Sequence, residues 1–463
     1  MTSRTYRRLG CLAFLVAASF ALAAAPESRQ TPVSSRHIVL ISLDGFPSWA
    51  LDDPYLPVPT LRRLAARGAV ARGMRPVNPT VTWPNHTTLV TGVTPAKHGV
   101  LFNGLLRRDP GVPPLVEPWL PRDQMVRVKT LYDIAHARGL TTAQVDWVAI
   151  QAAPTVTWEF PERPAPDGRI AQELVKAGVL SQAELETFAT RNIVWRDHIW
   201  TEAAAHIIRE HKPNLMMYHL LNLDSTQHRY GPRTHAAMTT MAHLDAQVAG
   251  IVAAVDRAGL TSRTTFFVVS DHGFKLVKRQ IRLNAAFLKA GLLKVQDGKP
   301  PGNIVQSEAY VVPEGGSAIV YLTVPDPTGD ILARARKAME GVEGIDAVIE
   351  PSDYGRYGLP LPSDNNQMGV LFVTPKDGYA FAAAADGDVV VNATEGSLGA
   401  HGYPSSDPDL SALFIASGVG ITPGVKLDVI DNVDVAPTLA ELLGLTLENI
   451  DGRVLKEILA PRR

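Results

Sequence analysis

Residues 37–46 read HIVLISLDGF, an apolar, largely β-branched run that closes on Asp44-Gly45. It predicts a strand buried on both faces, with a turn at its end. Residues 214–224, NLMMYHLLNLD, and 264–273, TTFFVVSDHG, repeat the signature, and LSALFIASG at 410–418 is a later strand. Between them lie segments with helical spacing: 59–69, PTLRRLAARGA; 129–140, KTLYDIAHARGL, followed by a strand in TTAQVDWVAI; and 196–211, RDHIWTEAAAHIIREH. Met241, Leu244, Val248, Ile251 and Val255 recur at the interval of a long core helix. Strand and helix alternate, which predicts an α/β fold with a mostly parallel central sheet and helices on both faces.

The rhythm breaks between 275 and 398. That stretch holds short strand candidates (SAIVYLTV, MGVLFVT, DVVVNAT), one helix near 330–340 and many Gly and Pro residues. It reads as an inserted α+β subdomain over or beside the site, within a domain spanning 37–463.

The 463 residues carry a net charge of −1, with 46% hydrophobic and 20% charged residues, an ordinary globular balance. No long basic run exists, so a nucleic-acid polymer is not an expected partner. A small phosphate-bearing molecule remains open, because a metal site brings its own positive charge. Arg4, Arg7 and Arg8 precede an apolar stretch ending in ALAAAP. Residues 1–25 therefore read as a signal peptide and 26–36 as a polar linker, which places the protein in the periplasm or outside the cell. The one cysteine, Cys11, lies inside that segment. No later stretch reads as long and apolar enough to span a bilayer.

The strand ends carry metal-ligand chemistry. Asp44 sits in LISLDG, Asp224 and His228 in LDSTQHRYGP, Asp271 and His272 in VVSDHG, and His401 in GAHGY. Three carboxylates and three imidazoles suit two divalent, zinc-like ions. Taken singly, each has a plain structural reading, such as a helix cap for Asp44 or Asp271. Asp224 is expected at a strand end and His228 in the loop or first turn beyond, since Arg229-Tyr230-Gly231-Pro232 breaks any regular element. In TWPNHTTLVTG at 82–92, Pro84 fits a first helical turn and Gly92 a stop. A Thr82 hydroxyl beside two dications is a nucleophile. His86 reads as ordering that turn and His98 as structural. His136, His206 and His243 read as partner-bonded or exposed.

The ordered set LISLDG, TWPNH, DSTQHRYGP, SDHG and GAHGY resembles the nucleotide pyrophosphatase/phosphodiesterase family of the alkaline phosphatase superfamily. The resemblance runs from about His37 to Tyr403, and DNVDVAPTLAELLG resembles the start of the superfamily's C-terminal helix. It implies an alkaline-phosphatase-like fold and two zinc ions per chain. One would be held by Asp224, His228 and His401, the other by Asp44, Asp271, His272 and the Thr82 hydroxyl. Thr82 would be the nucleophile, Asn103 in LFNGLL would donate to a phosphoryl oxygen, and Trp83 would offer a stacking face to a nucleobase. The implied activity is hydrolysis of phosphodiester or pyrophosphate bonds in nucleotide-like small molecules, through a phospho-threonine.

Departures bear on the substrate. Trp83 stands where the family often has Phe, and Leu223 and Gln227 replace Pro and Gly, which predicts a changed substrate-facing wall. A Lys-x-Arg grip for a monoester is missing, and TWPNH lacks the Cys or Ser of a sulfatase. The same ligands also suit a phosphomonoesterase or phosphonate hydrolase, or a binding protein without catalysis. The intact Thr82 beside all six ligands speaks against the last.

Overall fold

The computed structural model describes residues 1–2, 35–296 and 304–461. The predicted signal peptide, apart from its first two residues, and all but the end of the linker lie outside the described residues. Eight strands form one sheet: β1 (His37–Leu43), β2 (Ala69–Arg75), β3 (Thr142–Val145), β4 (Trp158–Phe160), β5 (Leu215–Leu220), β6 (Thr264–Val269), β7 (Phe414–Gly418) and β8 (Val425–Asp431). Their spatial order is β8-β2-β7-β6-β1-β5-β3-β4. All run parallel except β7, which is antiparallel to both β2 and β6.

This register sets the site. β5 and β6 flank β1, with Leu43 opposite Leu220 and Ser42 opposite Val269. Three adjacent parallel strands therefore stop at one level, and the residues after them share one edge. The reversal of β7 matters equally. Its first residue, Phe414, lies opposite Val269, so the segment entering β7, not the one leaving it, reaches that edge. His401 arrives by this route.

β1 points Val39, Ile41 and Leu43 into one apolar core and Ile38 and Leu40 into another. The first is covered by α1 (Pro59–Ala66), α3 (Ile193–Glu210) and α5 (His235–Arg257), the second by α2 (Thr82–Thr91) and α6 (Val435–Leu442). Burial on both faces explains why the strands read as near-continuous apolar runs. α5 corrects one expectation from the sequence. By length and composition alone it is apolar enough to cross a membrane. Its stripe of Met241, Leu244, Val248, Ile251 and Val255 is instead buried in the first core.

A second correction concerns the DSTQHRYGP block. Asp224 and His228 both lie on a nine-residue helix, α4 (Asn222–Tyr230), one turn apart. Gly231, at φ 85°, ends α4 only after both ligands have been presented. α4 has no cap of its own. Asp197 of α3 supplies one, accepting the Leu221 and Asn222 N–H groups at 3.1 Å each.

The 275–398 stretch builds a four-stranded antiparallel sheet from Ala309–Pro313, Ala318–Leu322, Ile345–Ile349 and Leu371–Pro375. One face carries the helices Leu283–Lys289 and Asp330–Met339, and the other packs on Leu101, Phe102 and Leu106. Its two ends are joined, because Lys275-Leu276 pairs with Gly399-Ala400. This neck lies between His272 and His401 in the chain.

Candidate active site

Two groups of three ligand atoms converge at the carboxyl edge. Asp44, Asp271 and His272 form one and Asp224, His228 and His401 the other, with the atoms of each group within 4.8 Å of one another. The groups adjoin, since the His272 and His401 rings stack at 3.9 Å and 13°. The first group is sealed, with no side-chain exposure at His272, Asp44 or Asp271. The second opens to solvent through His228, whose side chain is 37% exposed.

The donor set fits divalent ions. Asp44 Oδ1, Asp271 Oδ2, His272 Nε2 and Asp224 Oδ1 are buried and make no hydrogen bond, which is uncommon for buried polar atoms. The opposite atoms of Asp44, Asp271 and His272 are engaged. Asp271 Oδ1 accepts the Gly45 and His272 N–H groups, at 3.1 and 3.0 Å. His228, His272 and His401 each turn Nδ1 to a backbone carbonyl, of Gly399, Gly273 and Thr80, at 3.0, 3.2 and 2.9 Å. A carbonyl only accepts, so each Nδ1 carries the proton and Nε2 is left as the ligand atom.

Electrostatics agrees. Burial, and then the charges of Asp271 and Asp224, raise the Asp44 carboxyl well above the usual range. Burial pushes His272 down, but Asp271 and Asp44 outweigh it and bring it up to about 9. Burial, together with the charge of His272 and His228, holds His401 well below its ordinary value. A cluster that must take up protons to be stable is one that cations would discharge.

Thr82 is the first residue of α2, all of which is buried. Further along, Thr87, Thr88 and Thr91 donate their hydroxyls to the carbonyls of Trp83, Pro84 and Thr87. Thr82 has no preceding helical turn, and its hydroxyl makes no hydrogen bond among the described residues. Its surroundings are tied to the ligands. Thr80 O holds His401, and His86, one turn on, bonds Thr82 O at 2.9 Å and lies 3.7 Å from Asp271. Asn103, exposed, accepts the Trp83 N–H at 2.9 Å through Oδ1, which leaves its NH₂ free.

Trp83 is only 4% exposed, packed with Val100, Met125, Val126 and Val148 and edge-on to Trp119 at 5.8 Å. The more accessible indole of the pair is Trp119, with the Arg163 guanidinium 4.5 Å from its ring. Leu223 and Gln227 do not line a substrate wall, contrary to the sequence reading. Both are fully buried, and Gln227 Nε2 donates to Gly45 O at 2.8 Å, fastening α4 to the turn after Asp44.

Several residues with a part in the site escaped the sequence reading. His219, within β5, puts Nε2 3.0 Å from Asp44 Oδ2, and its Nδ1 lies 3.0 Å from Asp146 O and 3.3 Å from Asp146 Oδ2. Burial disfavours its charge, but Asp146 and Asp44 outweigh that and hold His219 protonated well above its usual range. It fixes which Asp44 oxygen faces an ion. Asn85 bonds Pro79 O, Val81 O and the Val77 N–H and so shapes the approach to Thr82. Phe274 packs its ring against His228, His272 and His401. The only local signals were a His inside an apolar strand and an Asp just beyond one.

Comparison with known proteins accords with this geometry. The type I phosphodiesterase / nucleotide pyrophosphatase family matches residues 38–404. Human ectonucleotide pyrophosphatase/phosphodiesterase family member 7 is 25% identical over 433 residues, covering 92% of this chain and 83% of the relative. A Xenopus laevis bis(5'-adenosyl)-triphosphatase is 22% identical over 442 residues, covering 94% and 83%. The solved murine ectonucleotide pyrophosphatase/phosphodiesterase 5 superposes with a TM-score of 0.69 at 16% identity, covering 92% of this chain and all of that one. An inactive threonine-to-alanine form of that murine protein, in complex with AMP, gives 0.68. This chain belongs to the type I phosphodiesterase / nucleotide pyrophosphatase family and is a hydrolase of phosphodiester or pyrophosphate bonds.

Two outcomes follow. His219→Ala should weaken divalent-metal binding by about 10–100-fold, the usual effect of losing a ligand's supporting partner. Competition against a chelator measures this, and unchanged affinity would show that His219 does not orient Asp44. In the ion-free protein His272 is protonated below about pH 9, so loading must expel its proton. Affinity for a divalent metal should therefore rise from pH 7 towards 9, and calorimetry in two buffers of different ionisation enthalpy should register proton release. A pH-independent affinity would contradict the assignment.

Proposed function

We propose that this chain is an exported, two-zinc phosphodiesterase that cleaves phosphodiester or pyrophosphate bonds of nucleotide-like substrates through a phospho-Thr82 intermediate. The observation that carries the proposal is the pair of adjoining Asp/His groups, whose ligand atoms face one another, together with a buried Thr82 hydroxyl that makes no hydrogen bond among the described residues and whose neighbours Thr80 and His86 reach His401 and Asp271. Three imidazoles among six ligands favour zinc over magnesium. Asp44, Asp271 and His272, with the Thr82 hydroxyl, would hold one ion, and Asp224, His228 and His401 the other. Bound there, the two dications would neutralise the charge of substrate and site and acidify the hydroxyl, as zinc lowers the pKa of water from roughly 16 to about 7.

The chain's own residues account for the rest. Thr82 Oγ1 gives up its proton and forms a bond to phosphorus, and the bond to the leaving oxygen breaks; that oxygen takes up a proton from solvent, releasing an alcohol from a diester or a phosphate from a pyrophosphate. Water then attacks phosphorus, the bond to Thr82 Oγ1 breaks, and the threonine is regenerated. Thr82 stands at the start of α2, where the Thr82 N–H and the positive end of the helix favour a phosphoryl oxygen. Asn103, its carbonyl fixed by the Trp83 N–H, turns its NH₂ towards a second oxygen. The open side at His228 is where the leaving group departs. Export rests on the basic and apolar N-terminus and on relatives named as ectoenzymes.

Thr82→Ala tests this directly. Turnover of a nitrophenyl phosphodiester should fall on the order of 10⁴-fold or more, the scale of removing a hydrolase nucleophile, while bound zinc stays near two per chain. The wild-type enzyme should hydrolyse that diester faster than the matching monoester. Wild-type turnover by the variant would overturn the nucleophile, and a faster monoester rate would overturn the substrate class.

A further inference from the structure

A third convergent group lies at the opposite edge of the sheet. His206 is on α3, His211 is the residue that ends it, and Glu173 comes from the neighbouring helix Arg169–Lys176. His211 lies four residues before β5 begins, and Trp158, which packs on it, opens β4. Both therefore mark the amino edge of the sheet, across from Asp44 and Asp271.

The geometry is specific. Glu173 Oε2 lies 2.9 Å from His206 Nε2 and 2.6 Å from His211 Nε2. The other carboxylate oxygen, Oε1, is taken by Arg169 Nε at 3.1 Å. Trp158 stacks flat on His211 at 3.9 Å and 19°, and the Arg169 guanidinium lies 4.2 Å from the Trp158 ring. Two imidazoles thus aim the same nitrogen at one carboxylate oxygen, while Trp158 holds the His211 ring and Arg169 holds Glu173 Oε1. The three ligand atoms lie within 4.8 Å of one another. The His side chains are 12% exposed and Glu173 28%, which leaves a solvent-facing side for a fourth ligand.

We propose that Glu173, His206 and His211 bind a third divalent ion of the zinc type, a structural ion that ties the Arg169–Lys176 helix to the end of α3. Two imidazoles and one carboxylate are a recurrent zinc donor set, with water completing a tetrahedron. The ion takes the place of the Nε2 protons that otherwise bridge to Glu173, and each neutral ring then carries its one proton on Nδ1. The carboxylate is ready for it. Burial raises Glu173, but hydrogen bonds from His206, His211 and Arg169 outweigh it and hold the group at about 2. Arg169 keeps Oε1 turned away, so Oε2 is the ligand.

The test uses the full protein, equilibrated with zinc alone and counted by elemental analysis after gel filtration. Wild type should retain three zinc ions per chain. His211→Ala and Glu173→Gln should each retain two, with diester turnover unchanged as proof of folding. An Asp224→Ala/Asp271→Ala variant, broken in both catalytic groups, should still keep the ion at Glu173. That arm separates failure of this site from failure of the two-zinc reading. A third ion that persists in His211→Ala, or a wild type whose count is unaffected by either substitution, would show that the cluster is only an ion-paired knot.

Discussion

Asp44 and Asp271, just beyond β1 and β6, and Asp224, in the first turn of α4, are brought together at one edge of the sheet, and several of the site's contacts make that tolerable. Carboxylates a few ångströms apart repel by several kcal/mol in a protein interior, about 4 kcal/mol at 4 Å for an effective dielectric of ~20. Two backbone N–H groups hold Asp271 Oδ1, and an imidazolium, His219, holds the far oxygen of Asp44. What remains is Asp44 Oδ1, Asp224 Oδ1, Asp271 Oδ2 and His272 Nε2, buried and without a hydrogen bond. Removing the central strand's neighbours, or reversing β7, would scatter them.

The role of the 275–398 stretch at this edge is mechanical. The neck formed by Lys275-Leu276 and Gly399-Ala400 joins its ends. Gly316 donates its N–H to His401 O at 2.7 Å, and a Cβ on Gly402 would meet Glu314 O at 1.7 Å. Only a glycine lets the His401 loop lie flat against this hairpin, and Gly402 also adopts φ 89°. The hairpin around Glu314-Gly316 thus braces His401, the residue of the two groups that follows no parallel strand.

Much of this was legible in the sequence because buried parallel strands announce themselves as apolar runs and their ends carry the ligands. The helix under Asp224 and His228 is masked in the sequence by the Gly231-Pro232 break, which falls only after nine helical residues. β2 and β8 passed unremarked because ARGMR and VKLDVID mix polar and apolar residues at a sheet edge. The roles of His219, Asp146 and Gln227 were hidden for a different reason. Asp44 and His219 are 175 positions apart, and Gly45 and Gln227 are 182 apart. No local pattern encodes such a contact. The burial of Trp83 likewise depends on Trp119, which only the folded chain brings over it.

The most direct measurement is anomalous diffraction at the zinc absorption edge from crystals of the zinc-loaded enzyme. The account predicts two neighbouring peaks at the carboxyl edge of the sheet. One should lie within bonding distance of Asp44, Asp271 and His272, with Thr82 Oγ1 beside it, and the other within bonding distance of Asp224, His228 and His401. A single peak, or metal bound with the Thr82 hydroxyl turned away from both groups, would contradict it.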